Sequence, residues 1–375
     1  MENEIININK IHYLDNASTT IINEDVLNAM YPYFNTLYFN ASSKNVNARI
    51  IKKKIEQSRD FCAQLINCSS DEIIFTSGAT EAINFALKGF FEENFEKGNH
   101  LITCKTEHKA ILNTCAYLEE KGVDVTYLDV SKDGHISLND LESEIKENTA
   151  LIALMYVNNE TGVIHDMKAI TSVAKKHNIQ VFCDATQAFG KLLIDVKAIE
   201  IDLLCMSAHK IEGPKGVGFL YKRNGINLTP LIHGGSQENN MRGGTYNTPL
   251  IIGLGKACEL CIEKLKSNQS VYQKLSSYFI KELENKCGVS IVAKNSSKVN
   301  SIFNLHIEQI EADLFISQNE DVYVSNGSAC NSMIIESSHV LKAIGYTDKE
   351  CKHCIRISLA PYNTIEDLDT ILKFI

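Results

Sequence analysis

The stretch EIIFTSGATEAINFALKGFF, Glu72–Phe91, decides the fold. Its first part is a short apolar run rich in Ile and Phe that stops at Gly78. The rest repeats apolar residues every three or four positions, the spacing of a helix with one buried face. A strand that turns at a glycine into an amphipathic helix is half of a βαβ unit. The pattern recurs toward the C-terminus. HLITCKT is a strand and KAILNTCAYLEEKG a helix closed by glycine. VDVTYLDV, ALIALMYV and IQVFCDA are further strands, with helices predicted at Leu138–Glu147 and Met167–His177. IDLLCMS and VGFLYKR follow close together.

Strands alternating with helices predict an α/β fold, a mostly parallel sheet covered on both faces. Ligand sites in such sheets lie beyond the carboxyl ends of the strands. Five polar clusters stand there: Ser77–Thr80, Thr106–His108, Asn158–Glu160, Asp184–Gln187 and Ser207–Lys210. After Asn247 the texture changes to a long helical stretch, one helix or two broken ones, then short strands mixed with short helices. We place residues 17–260 in a large domain. Residues 1–16 and 261–375 form a smaller α+β domain.

The chain has 375 residues, 44% hydrophobic and 22% charged, with a formal net charge of -9. That composition allows a sizeable core and argues against a general nucleic-acid binder. No apolar run approaches the roughly 20 residues of a membrane helix. The first residues, MENEIININKIHYLD, lack the apolar core of a secretion signal. Twelve cysteines without such a signal suggest reduced thiols and a cytoplasmic location. Cys104, Cys183 and Cys205 read as core residues. Cys258/Cys261 and Cys351/Cys354 have C-x-x-C spacing, a weak zinc signal, because one pair sits in a helical pattern and the other in a turn entering a strand.

Gly78, Ala79 and Thr80, at a strand-to-helix turn, are either a phosphate cradle or a plain helix start. Asp184 ends a very apolar run, so it needs a cationic partner, a cap or an ion pair. Lys210 follows the next strand. It is either a surface turn lysine or a buried amine able to attack carbonyls. Together the three suit pyridoxal phosphate, which needs a lysine for its Schiff base, an acid for its ring nitrogen and an anion cradle. Lys215, after Pro214 in the glycine turn, is the poorer lysine candidate.

The blocks YLDNASTT, FTSGATEAIN, TEHKAILNTC, MYVNNETGVI, CDATQAFGK, SAHKIEGPKGVG, MRGGT, SNGSACNS and IRISL resemble, in order, those of cysteine desulfurases. These are fold type I pyridoxal phosphate enzymes of the class V aminotransferase superfamily. The resemblance spans nearly the whole chain, and the Ser-Ala-Cys block marks the desulfurases. It implies a seven-stranded large-domain sheet and conversion of L-cysteine to L-alanine. Lys210 would carry the cofactor and move protons with His108, which stacks on the ring. Asp184 would pair with the ring nitrogen, and Asn159 and Gln187 would face the ring and substrate. Ala79, Thr80, Ser207 and His209 would bind the phosphate, with Thr245 reaching in from a neighbouring subunit of a homodimer. Arg356 would clamp the substrate carboxylate.

Cys330, in a loop of small residues, would take the sulfur as a persulfide. It would pass it to an acceptor protein for iron–sulfur cluster, cofactor or tRNA biosynthesis. No resident metal is implied, and Cys330 would meet an iron–sulfur cluster only during transfer. Selenocysteine lyase and ordinary class V aminotransferase are the alternative activities. The chain departs from the family pattern at Ala41, Val46 and Arg49, where Pro, His and Gly are usual, and at Ala360. It also ends where many scaffold-feeding relatives continue with a docking tail, which weakens the expectation of that partner.

Overall fold

The computed structural model describes residues 11–326 and 337–375. Twelve strands are numbered in chain order: β1 His12–Tyr13, β2 Ile73–Thr76, β3 His100–Cys104, β4 Asp124–Leu128, β5 Thr149–Met155 and β6 Gln180–Asp184. They continue with β7 Leu203–Ser207, β8 Gly218–Lys222, β9 Val289–Ile291, β10 Ile302–Ile307, β11 Val322–Tyr323 and β12 Cys354–Ser358. Seven form one sheet in the order β2-β8-β7-β6-β5-β3-β4. β8 runs antiparallel to both its neighbours, and all other pairs are parallel. The mostly parallel sheet expected from the alternating pattern is present.

β3 and β7 are buried at every residue. Such uniformly apolar runs are what a sheet covered on both faces requires. One face packs a core that includes Ile102, Ile152, Cys183 and Met206 under the helix Val46–Ile66. The other packs Leu101, Phe182 and Leu220 under the helix Ala79–Asn94. The helix Thr248–Leu283 is continuous for 36 residues. It crosses Val46–Ile66 at Gly255, where a Cβ would stand 2.4 Å from Cβ of Ser58, so the two backbones touch. Residue 260, our expected boundary, falls inside this helix.

The helix predicted over Leu138–Glu147 stops at Ser143. Glu142, Glu144 and Glu147 crowd its C-terminal end, where the helix dipole disfavours negative charge. Met167–Lys176 ends one residue short of expectation. Beyond the large sheet, β12-β10-β9 form an antiparallel sheet, and β1 pairs in parallel with β11. Leu14, Phe279, Phe303 and Leu368 share the core between these strands and the helix Ile365–Leu372. Leu14 thus ties the N-terminal strand to this smaller assembly. Isolated bridges Asp15–Ser358 and Ser325–Arg356 tie the residues after β1 and after β11 to β12.

Candidate active site

The carboxyl ends of β3, β5, β6 and β7 open into one cavity of about 1110 Å³. Lys210 follows β7 at the end of a short 3-10 turn, Ala208–Lys210, and lines this cavity. Its Nζ donates to the carbonyls of Ala17 and Ser18, 2.6 Å each. Burial, then the charges of Arg356 and Lys191, pull its pKa down to about 7 against the opposing pull of Asp15 and Asp184. A lysine so placed is half neutral near neutrality and can attack or accept a proton.

Asp184 is the last residue of β6 and is 7% exposed. Its Oδ1 accepts from the Thr186 N–H at 2.9 Å and the Cys205 thiol at 3.4 Å. Oδ2 has no partner among the described residues, and Asp184 lines the cavity. His108 caps the helix Lys109–Glu119, its Nδ1 accepting from the Ala110 N–H at 3.1 Å. That bond leaves the proton of the neutral ring on Nε2. Burial lowers its pKa first; Lys210, His339 and Lys109 add to this, while Asp184 opposes.

Gly78 turns from β2 into the helix Ala79–Asn94 with φ +146°, and the N–H groups of Ala79 and Thr80 have no acceptor among the described residues. Glu81 in the same turn is neutralised by Arg242, Nε to Oε1 3.0 Å, and also accepts from the Ser77 N–H. The helix start therefore keeps its positive character. Ser207 Oγ would lie 3.3 Å from a Cβ on Gly78, so it faces the same turn. His209 lies beside it, its pKa pulled to about 4 by burial and then by Lys210 and Lys215.

Asn159 and Gln187 also line the cavity. Gln187 spends its Nε2 on the Ala17 carbonyl at 2.8 Å. Arg356, in the middle of β12, donates through NH1 to the Asn159 carbonyl at 3.0 Å and through NH2 to Asp15 and Ser18. Its Nε is buried without an acceptor among the described residues. Thr245 is exposed and is not among the residues lining its own chain's cavity. Cys330 lies outside the described residues. The described residues on either side of that stretch, Asn326 and Ser337, both line the cavity.

Several residues that shape the site were given no role of their own from the sequence. Asp15, Ala17 and Ser18 hold Lys210 and Arg356, yet they follow a strand of two residues that shows no periodicity. Their signal was the polar cluster in YLDNASTT. Glu107 is fully buried beside His108, and burial, helped by Asp184, pushes its pKa up to about 8 against the Met155 N–H bond. The carbonyl of Glu107 accepts from His339 at 2.8 Å, and Ser338 donates to Glu160. No spacing rule reveals contacts 232 residues apart in the chain.

These groups fit pyridoxal phosphate: an amine of lowered basicity, a carboxylate with one free oxygen, an unfilled helix start and an orphaned guanidinium N–H. The aminotransferase class-V family model matches residues 12–371. The curated cysteine desulfurase IscS of Methanosarcina thermophila is 40% identical over 369 residues, covering 98% of this chain and 91% of that protein. A solved NifS-like protein superposes with TM-score 0.90 at 35% identity, covering 96% of this chain and 97% of that one. A structure titled SspA in complex with cysteine gives TM-score 0.84 at 38% identity, with coverages of 94% and 99%. With fold, cavity and relatives in agreement, the chain belongs to the aminotransferase class-V family of pyridoxal phosphate enzymes.

Proposed function

We propose that this protein is a cysteine desulfurase that converts L-cysteine to L-alanine and moves the sulfur onto Cys330 as a persulfide, for delivery to an acceptor protein. The observation that carries the reading is the meeting of Lys210, Asp184, His108, Arg356 and the helix start at Ala79 in one cavity. Asn326 and Ser337, the described residues on either side of the stretch that holds Cys330, line that cavity.

Lys210 would carry the cofactor, and Asp184 Oδ2 would accept from its ring nitrogen. The N–H groups of Ala79 and Thr80, with Ser207 and His209, would hold its phosphate, and Asn159 and Gln187 would border its ring. When bound, pyridoxal phosphate supplies an electron sink for negative charge developing at the substrate α-carbon. Arg356, held in place by Asp15, Ser18 and the Asn159 carbonyl, would present its charge to the substrate carboxylate. Neutral Lys210 takes the α-proton, with the Nε2 proton of His108 poised over the same space. The Cys330 thiolate attacks the substrate sulfur, the carbon–sulfur bond breaks, and protonation at carbon releases alanine. Turnover thus consumes no keto acid.

Thr245, exposed on its own chain, supports a homodimer in which it completes the phosphate site of the other subunit. The eleven described cysteines are all unpaired, in keeping with a reducing, cytoplasmic setting. No helix among the described residues is long and apolar enough to cross a membrane. The test is to supply cysteine without a keto acid and follow alanine and sulfide. Borohydride reduction of the holoenzyme is then mapped by peptide mass spectrometry. Alanine production and coenzyme fixed to Lys210 are expected. Alanine that appears only with a keto acid would identify an aminotransferase instead. A strong preference for selenocysteine in parallel assays would identify a selenocysteine lyase.

A further inference from the structure

A second lysine stands behind Lys210. Lys191 lies in the turn after β6, just past Gly190, whose φ is +73°. Its Nζ donates to Gln187 Oε1 at 3.4 Å. The same amide donates from Nε2 to the Ala17 carbonyl at 2.8 Å, and that carbonyl accepts Lys210 Nζ at 2.6 Å. One amide and one carbonyl therefore join the two lysines. The amide has a single workable orientation, because flipping it would set its NH₂ against the Lys191 ammonium. The backbone of Lys191 is itself held from the long helix, its carbonyl accepting from Gln269 Nε2 at 2.9 Å.

The charges around Lys210 come from several elements. Asp184 faces it from β6, Asp15 from the residues after β1, Arg356 from β12, and His108 and His209 from their turns. Arg356 is ion-paired with Asp15 at 2.7 Å, which offsets much of its positive charge at Lys210. Among the described residues Lys191 has no such counter-ion; burial pulls its pKa down to about 8 against the opposing Cys261 thiol, which leaves it mostly charged where Lys210 titrates.

We propose that Lys191 is a positioning residue for Lys210: it fixes the Gln187 amide, through it the Ala17 carbonyl, and adds an uncompensated positive charge behind the Lys210 amine. The geometry itself is independent of the cofactor. Its consequence, a Lys210 amine kept ready to take a proton, rests on the function proposed above. The charge does not require Lys191 to touch substrate or cofactor.

The test measures Lys210 directly in the full-length protein without cofactor. Brief acetylation across a pH series, read as acetyl occupancy of the Lys210 peptide, gives the titration midpoint of its amine. Lys191→Met and Lys191→Gln should each raise that midpoint by about half a unit to one unit. Lys191→Arg, which keeps charge and donor, should stay near wild type. Gln retains a hydrogen-bond donor, so a wild-type midpoint in Lys191→Gln would overturn the proposal by removing the charge from it. An equal shift in Lys191→Arg would overturn it as well, showing that disturbed packing suffices. Borohydride mapping of the same variants loaded with pyridoxal phosphate separates the two readings. Coenzyme trapped on Lys210 alongside unmoved midpoints would sink the role of Lys191 alone.

Discussion

At the scale of single residues, the site works through what each side chain is denied. Lys210 is largely screened from water and has no ion-paired carboxylate among the described residues, so its amine titrates at about 7 instead of far higher. If that amine takes the α-proton, cysteine turnover should fall about tenfold per pH unit below about 7, where the lysine becomes ammonium. Lys210→Ala should lose activity by on the order of 10³-fold or more and leave nothing for borohydride to trap on the peptide. Asp184→Asn removes a charge from a carboxylate with one free oxygen, and should slow α-proton removal while cofactor is still bound, as seen by hydrogen exchange at the substrate α-carbon. Lys210 and Asp184 were legible in the sequence because each follows an apolar run long enough to declare a buried strand. Asp15 and Ser18 were not legible as site residues, since β1 has two residues and draws its position from pairing with β11, more than 300 positions away. The free oxygen of Asp184 and the lowered basicity of Lys210 depend on distances that no spacing encodes.

At the scale of elements, the proposed phosphate cradle at Ala79 and Thr80 depends on how closely β8 lies against the turn at Gly78. A Cβ at Gly218 would stand 2.2 Å from the Met206 carbonyl oxygen and 2.9 Å from Gly78 Cα. Backbone atoms cannot yield as a flexible side chain would. Gly218→Ala should cost about 1–3 kcal/mol of stability, read by denaturant unfolding, and weaken pyridoxal phosphate binding in parallel. The alternation of strands and helices was readable because every central strand is buried on both faces, and uniform burial leaves a strong apolar signature. The antiparallel setting of β8 was not assigned from its residues. Direction is decided by the short connection after Lys210, and an apolar run carries no arrow. The stretch that forms Thr248–Leu283 read as one helix or two, and it carries two glycines in its first turns. In the fold they are contact points, with Gly253 against Met30 and Gly255 against Ser58.

At the scale of the whole molecule, a buried ion pair ties the helix Val46–Ile66 to the segment leading to Thr245. Arg59 donates from NH1 and NH2 to the two carboxylate oxygens of Glu238 at 2.7 Å each, and stacks 4.4 Å over the Phe75 ring. Glu238 also accepts from the Phe75 N–H at 2.7 Å. It begins three consecutive residues with positive φ, Glu238, Asn239 and Asn240, a left-handed run that needs such an anchor. Glu238→Ala leaves the buried Arg59 with only the more exposed Glu56 as counter-ion among the described residues and should cost up to about 3–5 kcal/mol, measured by denaturant unfolding. Leu231, Ile232, Tyr31 and Phe34 are exposed apolar side chains, surface that the homodimer proposed above could cover. Of the altered family positions, Ala41 and Ala360 are buried, while Val46 and Arg49 are exposed at the start of the helix Val46–Ile66.

The reading of the whole molecule converges on sulfur moving from substrate to one thiol. The direct measurement is to incubate the holoenzyme with L-cysteine and analyse its peptides by mass spectrometry without reductant. The peptide containing Cys330 should gain one sulfur atom while alanine accumulates in step, and Lys210→Ala should abolish both. Alanine released with no added sulfur on Cys330, or with the sulfur on another of the twelve cysteines, would contradict the account.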